Sequence, residues 1–246
     1  MNTYQPNPNY HQKKIDGAAN FAVHVVRLLN YFYKIEYKHQ ERLYPLADKP
    51  FVLLPRHQHW FDIPLDGMLL KRALNRYGNY VMKASLPKII FEPLGGITII
   101  RQKDLEKLTR KNLYTSILES FPVYSTSLQQ LKKKAFKDAL KEANHKKNRV
   151  YSYHLPNLLS RDEIIVLYID GVRLFNKPVE INHSNLKKLQ GVQHTLQKPI
   201  TIVPLDSKYD LVKRTITLTV GRPIEFKKDN LEEIVEHLKT EVKTWY

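Results

Sequence analysis

His57 and Asp62 stand five positions apart in the stretch Pro55-Arg56-His57-Gln58-His59-Trp60-Phe61-Asp62-Ile63-Pro64. A carboxylate on one imidazole nitrogen fixes the tautomer and stabilises the imidazolium, leaving the other nitrogen as a general base. A spacing of five is poor within one helix, where side chains meet at three and four. Across a strand-to-helix turn the two can meet. The chain has no cysteine, which excludes a thiol nucleophile. The natural chemistry is a His base that deprotonates an acceptor hydroxyl directly. Two other readings stand beside it. In one, Asp62 only caps a helix and His57 is structural. In the other, His57-x-His59 places two imidazoles on one metal ion. The metal reading needs further ligands, and the remaining histidines are scattered without a second cluster of ligand spacing.

The flanking sequence is what would position this pair. Residues 51–54 are a short apolar run of the kind that makes a buried strand. Residues 65–74 have helical spacing, and Gly78 is placed to end that helix. Asp62 is a good N-cap type and Pro64 suits a first helical turn. His57 and Asp62 therefore sit where a strand hands over to a helix, where unpaired N–H groups and the helix dipole favour negative charge.

Along the chain, residues 35–37, 80–82, 97–100, 164–169, 200–203 and 215–220 read as further strands, with a turn at Gly95-Gly96. Helices are expected over 65–77, from Asp104 towards 120, over 129–145, and over 231–243 with Asn230 as cap. The alternation argues for one α/β domain: a central, mostly parallel mixed sheet flanked by helices. Its expected extent is 37–246, with a basic helical insertion at about 104–161 that carries Lys132-Lys133-Lys134 and Lys146-Lys147. Residues 1–36 form a polar arm and an amphipathic helix, and they lack the basic start and apolar core of a secretory signal.

Residues 21–33 are apolar apart from a narrow polar stripe through His24, Arg27 and Asn30. A span needs ~20 apolar residues, and this run is shorter and charged. It reads either as an interfacial helix in the headgroup layer or as a helix packed on the domain. The chain has 246 residues, enough for one sizeable core, and a net charge of +16. The isoelectric point near 9.7 implies a polyanionic partner: an anionic membrane leaflet, an acidic carrier or nucleic acid. Basicity alone does not choose among them, and no Arg-Gly-rich tail or recognised nucleic-acid motif is visible. With no cysteine, the redox compartment is left open.

Five segments, in order, resemble the motifs of the glycerolipid acyltransferases. His57-x-x-x-x-Asp62 with Ile63-Pro64 resembles the first. Gly95-Gly96-Ile97-Thr98-Ile99-Ile100-Arg101, preceded by Lys83, resembles the second. Ile169-Asp170-Gly171-Val172-Arg173 resembles the third, usually Pro-Glu-Gly-Thr-Arg. Ile202-Val203-Pro204-Leu205 resembles the fourth, and Val220-Gly221-Arg222-Pro223-Ile224 the closing Gly-x-Pro-Ile. The match spans about residues 37–226. Arg56 stands where the family has Asn, Asp170 where it has Glu, Val172 where it has Thr and Leu174 where Ser is common.

The resemblance implies acyl transfer from a CoA or acyl-carrier thioester to the free hydroxyl of 1-acylglycerol-3-phosphate, giving phosphatidic acid, with His57 and Asp62 as the dyad. It implies no cofactor and no metal. Arg101 and Arg173 would grip the acceptor phosphate, supported by Lys83, Asp170 and the turn at Gly171. The partners it implies are an anionic membrane surface, a lysophospholipid and acyl-CoA or acyl carrier protein, at the cytoplasmic face of the cell membrane as a peripheral or monotopic protein. It favours the interfacial reading of 21–33 and a membrane partner over nucleic acid. Glycerol 3-phosphate or another lipid hydroxyl is the alternative acceptor, and a non-catalytic basic membrane- or nucleic-acid-binding protein the alternative class.

Overall fold

The computed structural model describes residues 15–59, 61–83, 91–99, 149–168, 175, 181–227 and 229–242. Short apolar runs bounded by turns make its strands: β1 (Lys34–Lys38), β2 (Phe51–Pro55), β3 (Gly78–Lys83), β4 (Gly96–Ile99), β5 (Ile164–Leu167), β6 (Ile200–Asp210), β7 (Thr215–Val220) and β8 (Ile224–Phe226). Its helices are α1 (Asp16–Arg27), α2 (Asp62–Leu74), α3 (Leu155–Leu159), α4 (His183–Leu196) and α5 (Leu231–Glu241).

The described strands form one sheet in the order β1-β7-β6-β2-β5-β3-β4, with β8 also on β6. β2 pairs in parallel with β5 and β6, and β3 with β5 and β4. β7 and β8 run antiparallel to β6. The sheet is mixed and mostly parallel, as the alternation of elements suggests. A strand covered on both faces is apolar throughout. In β2 all five residues are buried. Val52 and Leu54 face the cluster built by α3, α4 and α5, with Leu155, Leu158, Leu189, Val192 and Leu238. Phe51 and Leu53 face the opposite cluster, with Leu65 and Leu69 of α2 and Val23 of α1. Truncating such a fully buried leucine to Ala costs about 2–5 kcal/mol. The strand that delivers His57 is thus held from both sides.

Several local expectations are corrected. α2 ends at Leu74, not at Gly78, because Asn75 takes the left-handed conformation (φ 55°) and its N–H bonds to the Lys71 carbonyl. A short polar Asn tolerates that backbone and can stand in for Gly. Gly78 opens β3 instead, where an added Cβ would lie 2.5 Å from Val166 Cγ2. Asn230 precedes α5, but its side chain turns away from the helix: Oδ1 accepts from Lys227 N at 2.8 Å and Nδ2 donates to the Glu225 carbonyl. α4 is a helix beyond those the sequence pattern predicts; Asn182 Oδ1 caps it by accepting from Ser184 N.

Of the expected basic insertion, only 149–161 is described. Much of it packs into the core rather than forming a wholly solvated surface: a π turn (Val150–His154), with Val150 and Tyr151 buried, leads into α3, whose five residues are all buried. The helices expected at 104–120 and 129–145 lie outside the described residues. α1 packs on the domain through Ala19 and Val23, and Asn20 accepts a hydrogen bond from the Tyr77 hydroxyl. The helix stops at Arg27 and tightens into a 3-10 turn (Leu28–Tyr31) before β1. Among the described residues no helix is long and apolar enough to cross a membrane.

Candidate active site

β2 delivers the chain to a loop that β6 anchors. Arg56 N donates to the Leu205 carbonyl at 3.1 Å, continuing the sheet by one step. The Gln58 side-chain amide, buried, donates to the carbonyl of Ser207 and to its Oγ at 3.2 Å. β6 runs on past the end of β2, so it offers this loop a wall to bond against.

Asp62 closes the loop. Its Oδ2 accepts from Gln58 N at 2.6 Å, His59 N at 2.7 Å and His57 Nδ1 at 3.1 Å. Its Oδ1 accepts from the Tyr209 hydroxyl at 2.5 Å. Asp62 is the first residue of α2, and Phe61 occupies the cap position. The expectation that Asp62 caps its own helix is therefore corrected. The carboxylate points back over the preceding loop, whose amides the strand has left unpaired. Since a carboxylate only accepts, His57 Nδ1 is the protonated nitrogen, and Nε2 carries the lone pair on the far side of the ring. The Asp62 side chain is 1% exposed and that of His57 16% exposed. A covered carboxylate behind a reachable imidazole suits a general base.

One turn further along α2 lies a second buried acid, Asp66. Its Oδ2 accepts from the Tyr168 hydroxyl at 2.5 Å. Burial, and then the neighbouring Asp62 charge, hold the Asp66 carboxyl well above the usual carboxylate range, and the Tyr168 hydrogen bond only partly offsets them. The Tyr168 ring lies tilted against the His57 ring, with centroids 4.6 Å apart. Burial, with Asp62 adding to it, raises the Tyr209 phenol, so it stays a donor. Sequence reasoning missed Asp66, Tyr168 and Tyr209. A visible signal for Asp66 is its place on the apolar face of α2 among Leu65, Leu69 and Leu70, four positions after Asp62. The tyrosines carry no local signal.

Beside the dyad an apolar groove of about 280 Å³ is lined by Tyr33, Phe61, Phe175, Leu211 and Ile216, with His59 and Tyr209 at the dyad end. The His59 ring stacks on Phe61 at 4.8 Å and lies 5.7 Å from the Tyr209 ring. His59 Nδ1 accepts from Phe61 N at 3.3 Å, which turns the imidazole along the groove wall.

Of the other expected site residues, Lys83 ends β3, in register with Ile99. Its side chain, and Arg101, Asp170, Gly171 and Arg173, lie outside the described residues. β4 ends at Ile99 and β5 at Leu167, shortly before them in the chain. These parallel strands finish at the same edge of the sheet as β2, where open α/β sheets bind their ligands.

The sequence matches no protein-family model and no curated protein. Its fold is similar to that of a solved structure, the crystal structure of the 1-acyl-sn-glycerophosphate (LPA) acyltransferase PlsC from Thermotoga maritima. The TM-score is 0.50 at 14% sequence identity, over 93% of this chain and 76% of that chain. The likeness is one of fold: an α/β domain with a mixed sheet flanked by helices.

Proposed function

We propose that this chain is an O-acyltransferase that moves a fatty acyl group from a thioester to the free hydroxyl of 1-acylglycerol-3-phosphate, giving phosphatidic acid. The observation that carries the reading is the 3.1 Å contact from His57 Nδ1 to an Asp62 oxygen that two backbone amides also hold. That pair stands in the acyltransferase-like order of motifs, on a fold resembling a lysophosphatidic acid acyltransferase.

His57 Nε2 accepts the proton of the acceptor hydroxyl as its oxygen attacks the thioester carbonyl. Asp62 stabilises the imidazolium that forms. The tetrahedral intermediate collapses, the carbon–sulfur bond breaks, and the imidazolium returns the proton to the departing thiolate. The products are an ester and a free thiol, with no acyl-enzyme on the path. In this reading Arg101 and Arg173 grip the acceptor phosphate in bidentate fashion, with Lys83, Asp170 and Gly171 in supporting roles. The donor is acyl-CoA or an acyl carrier protein, and the apolar groove receives an acyl chain. The protein works at the anionic, cytoplasmic face of a membrane.

The test is thioester release on vesicles with a panel of acceptors, products identified by mass. Wild type should yield phosphatidic acid from the lysophospholipid, and His57→Ala should not. Product from glycerol 3-phosphate alone would move the acceptor assignment. Equal rates from the two proteins would end the enzymatic reading.

A further inference from the structure

The turn joining β6 to β7 is unusual for its composition. Hairpin tips are normally Gly, Asn, Asp, Pro or Ser. Here residues 211–214 are Leu211, Val212, Lys213 and Arg214, and Val212 is 95% exposed. The tip is nonetheless built rather than loose. Asp210 pairs with Thr215 across the ladder, Asp210 Oδ1 accepts from Lys213 N at 2.9 Å, and Thr215 Oγ1 donates to the Lys213 carbonyl. Arg214 takes a positive φ of 47° to close it.

A second exposed apolar element stands beside it. Lys34 N donates to the Arg214 carbonyl at 2.8 Å, and Lys34 is in register with Thr215. This ties the hairpin to the residues just before β1, where Tyr31 is 84% and Phe32 65% exposed. Tyr33, which follows Phe32, and Leu211 of the hairpin both line the groove that His59 also lines. Around these knobs Arg27, Lys34, Lys213 and Arg214 are all exposed. The acids nearby are engaged: Glu36 with Lys34 at 2.7 Å, and Asp210 with the turn amide.

The geometry points to a bilayer-docking surface made jointly by the β6–β7 hairpin tip and the turn before β1, with Val212, Tyr31 and Phe32 entering an anionic lipid leaflet and Lys213 and Arg214 meeting its headgroups. Apolar knobs ringed by cations match an anionic membrane in both chemistry and charge. A second copy of so basic a chain would bring the same cations against themselves. Docked this way, the apolar groove opens at the lipid, so a membrane-dissolved acceptor and its chain reach the dyad without crossing water. The inference deepens the lipid-hydroxyl reading by assigning the surface, and places it on the hairpin as well as on the segment after α1.

The experiment is pelleting of the full chain with phosphatidylcholine vesicles and with vesicles of phosphatidylcholine and phosphatidylglycerol. Wild type should pellet with the mixed vesicles and weakly with phosphatidylcholine alone. Phe32→Ser combined with Val212→Ser should weaken that binding by about tenfold or more, from the loss of two exposed apolar side chains. Lys213→Gln with Arg214→Asn should weaken it and flatten its salt dependence. Circular dichroism should match wild type, because all four side chains are exposed. Unchanged pelleting of both variants would overturn the assignment. A solution dimer split by Phe32→Ser and Val212→Ser would give the surface to a second copy and overturn it too. His57→Ala should pellet as wild type does, so failure of docking and failure of the catalytic reading are told apart.

Discussion

The Tyr209 hydroxyl donates to Oδ1 of Asp62 across 2.5 Å, joining residues 147 positions apart in the chain. Because β6 continues beyond β2, the strand that anchors the histidine loop also braces the carboxylate that orients the histidine. Asp62 is held on one oxygen by local amides and on the other by a distant phenol. It cannot swing without breaking bonds of both kinds.

Tyr209→Phe removes one donor and leaves a buried acceptor short. A fall in stability of about 1–2 kcal/mol follows, measured by urea unfolding. Thioester turnover should fall on the order of tenfold with the acceptor KM little changed, because the carboxylate gains freedom to turn. A stability loss with kcat unchanged would mark Tyr209 as purely structural.

Asp62→Asn is nearly isosteric yet mismatched. Both carboxylate oxygens accept, so the amide nitrogen either faces the loop N–H groups or turns the Tyr209 hydroxyl from donor to acceptor, and in both cases the charge that stabilises the imidazolium is lost. Turnover should drop by about 10³-fold or more, with a stability loss of about 2–4 kcal/mol. Near-wild-type kcat in a folded Asp62→Asn protein would refute its orienting role.

Asp66 gives a pH dependence of definite sign. Its folded-state carboxyl is raised well above the ordinary value of 3.8 by burial and by Asp62. Below that value neither folded nor unfolded chain is ionised there. As pH rises past it the unfolded chain releases a proton that the folded chain keeps, so this group costs stability with increasing pH. Asp66→Asn keeps an acceptor for Tyr168 and should be more stable than wild type at pH 7, with the advantage shrinking towards pH 3. Urea melts across that range test it; an equal loss at both ends would contradict the assignment.

Glu241 works in the opposite sense. Burial alone would raise its carboxyl, but the Arg222 backbone N–H at 2.8 Å and guanidinium at 2.7 Å outweigh it and hold the group below the ordinary value of 4.5. Arg42 adds a contact at 3.3 Å and also donates to the Val220 carbonyl, so Glu241 ties α5 to the end of β7. The stabilisation is present above the unfolded value and is lost as pH falls through the folded one. Glu241→Gln should therefore lower Tm at pH 7 and leave it little changed at pH 3, by thermal melts at the two values.

The strands legible in the sequence are those whose burial is total or strictly alternating. Residues 51–54 and 164–169 read as buried strands, and β2 and β5 (Ile164–Leu167) are such, while 215–220 alternate in the structure as in the chain. α4 was also legible, since Leu186, Leu189, Val192 and Leu196 recur at helical spacing after the cap Asn182, but its many polar residues hid the stripe. The end of α2 was misplaced because Asn75 can adopt the backbone usually reserved for glycine.

By itself the sequence determined the α/β class and brought His57 and Asp62 to one strand-to-helix junction. Both follow from local spacing: the period of burial sets the elements, and a five-residue turn sets the reach of two side chains. The tertiary structure alone decided that Asp62 faces back over its loop, that Tyr209 and Tyr168 close on Asp62 and Asp66, and that a hairpin tip stands beside the turn before β1. These contacts join elements far apart in the chain. They are set by sheet order and by the length of β6, and no window of neighbouring residues encodes them.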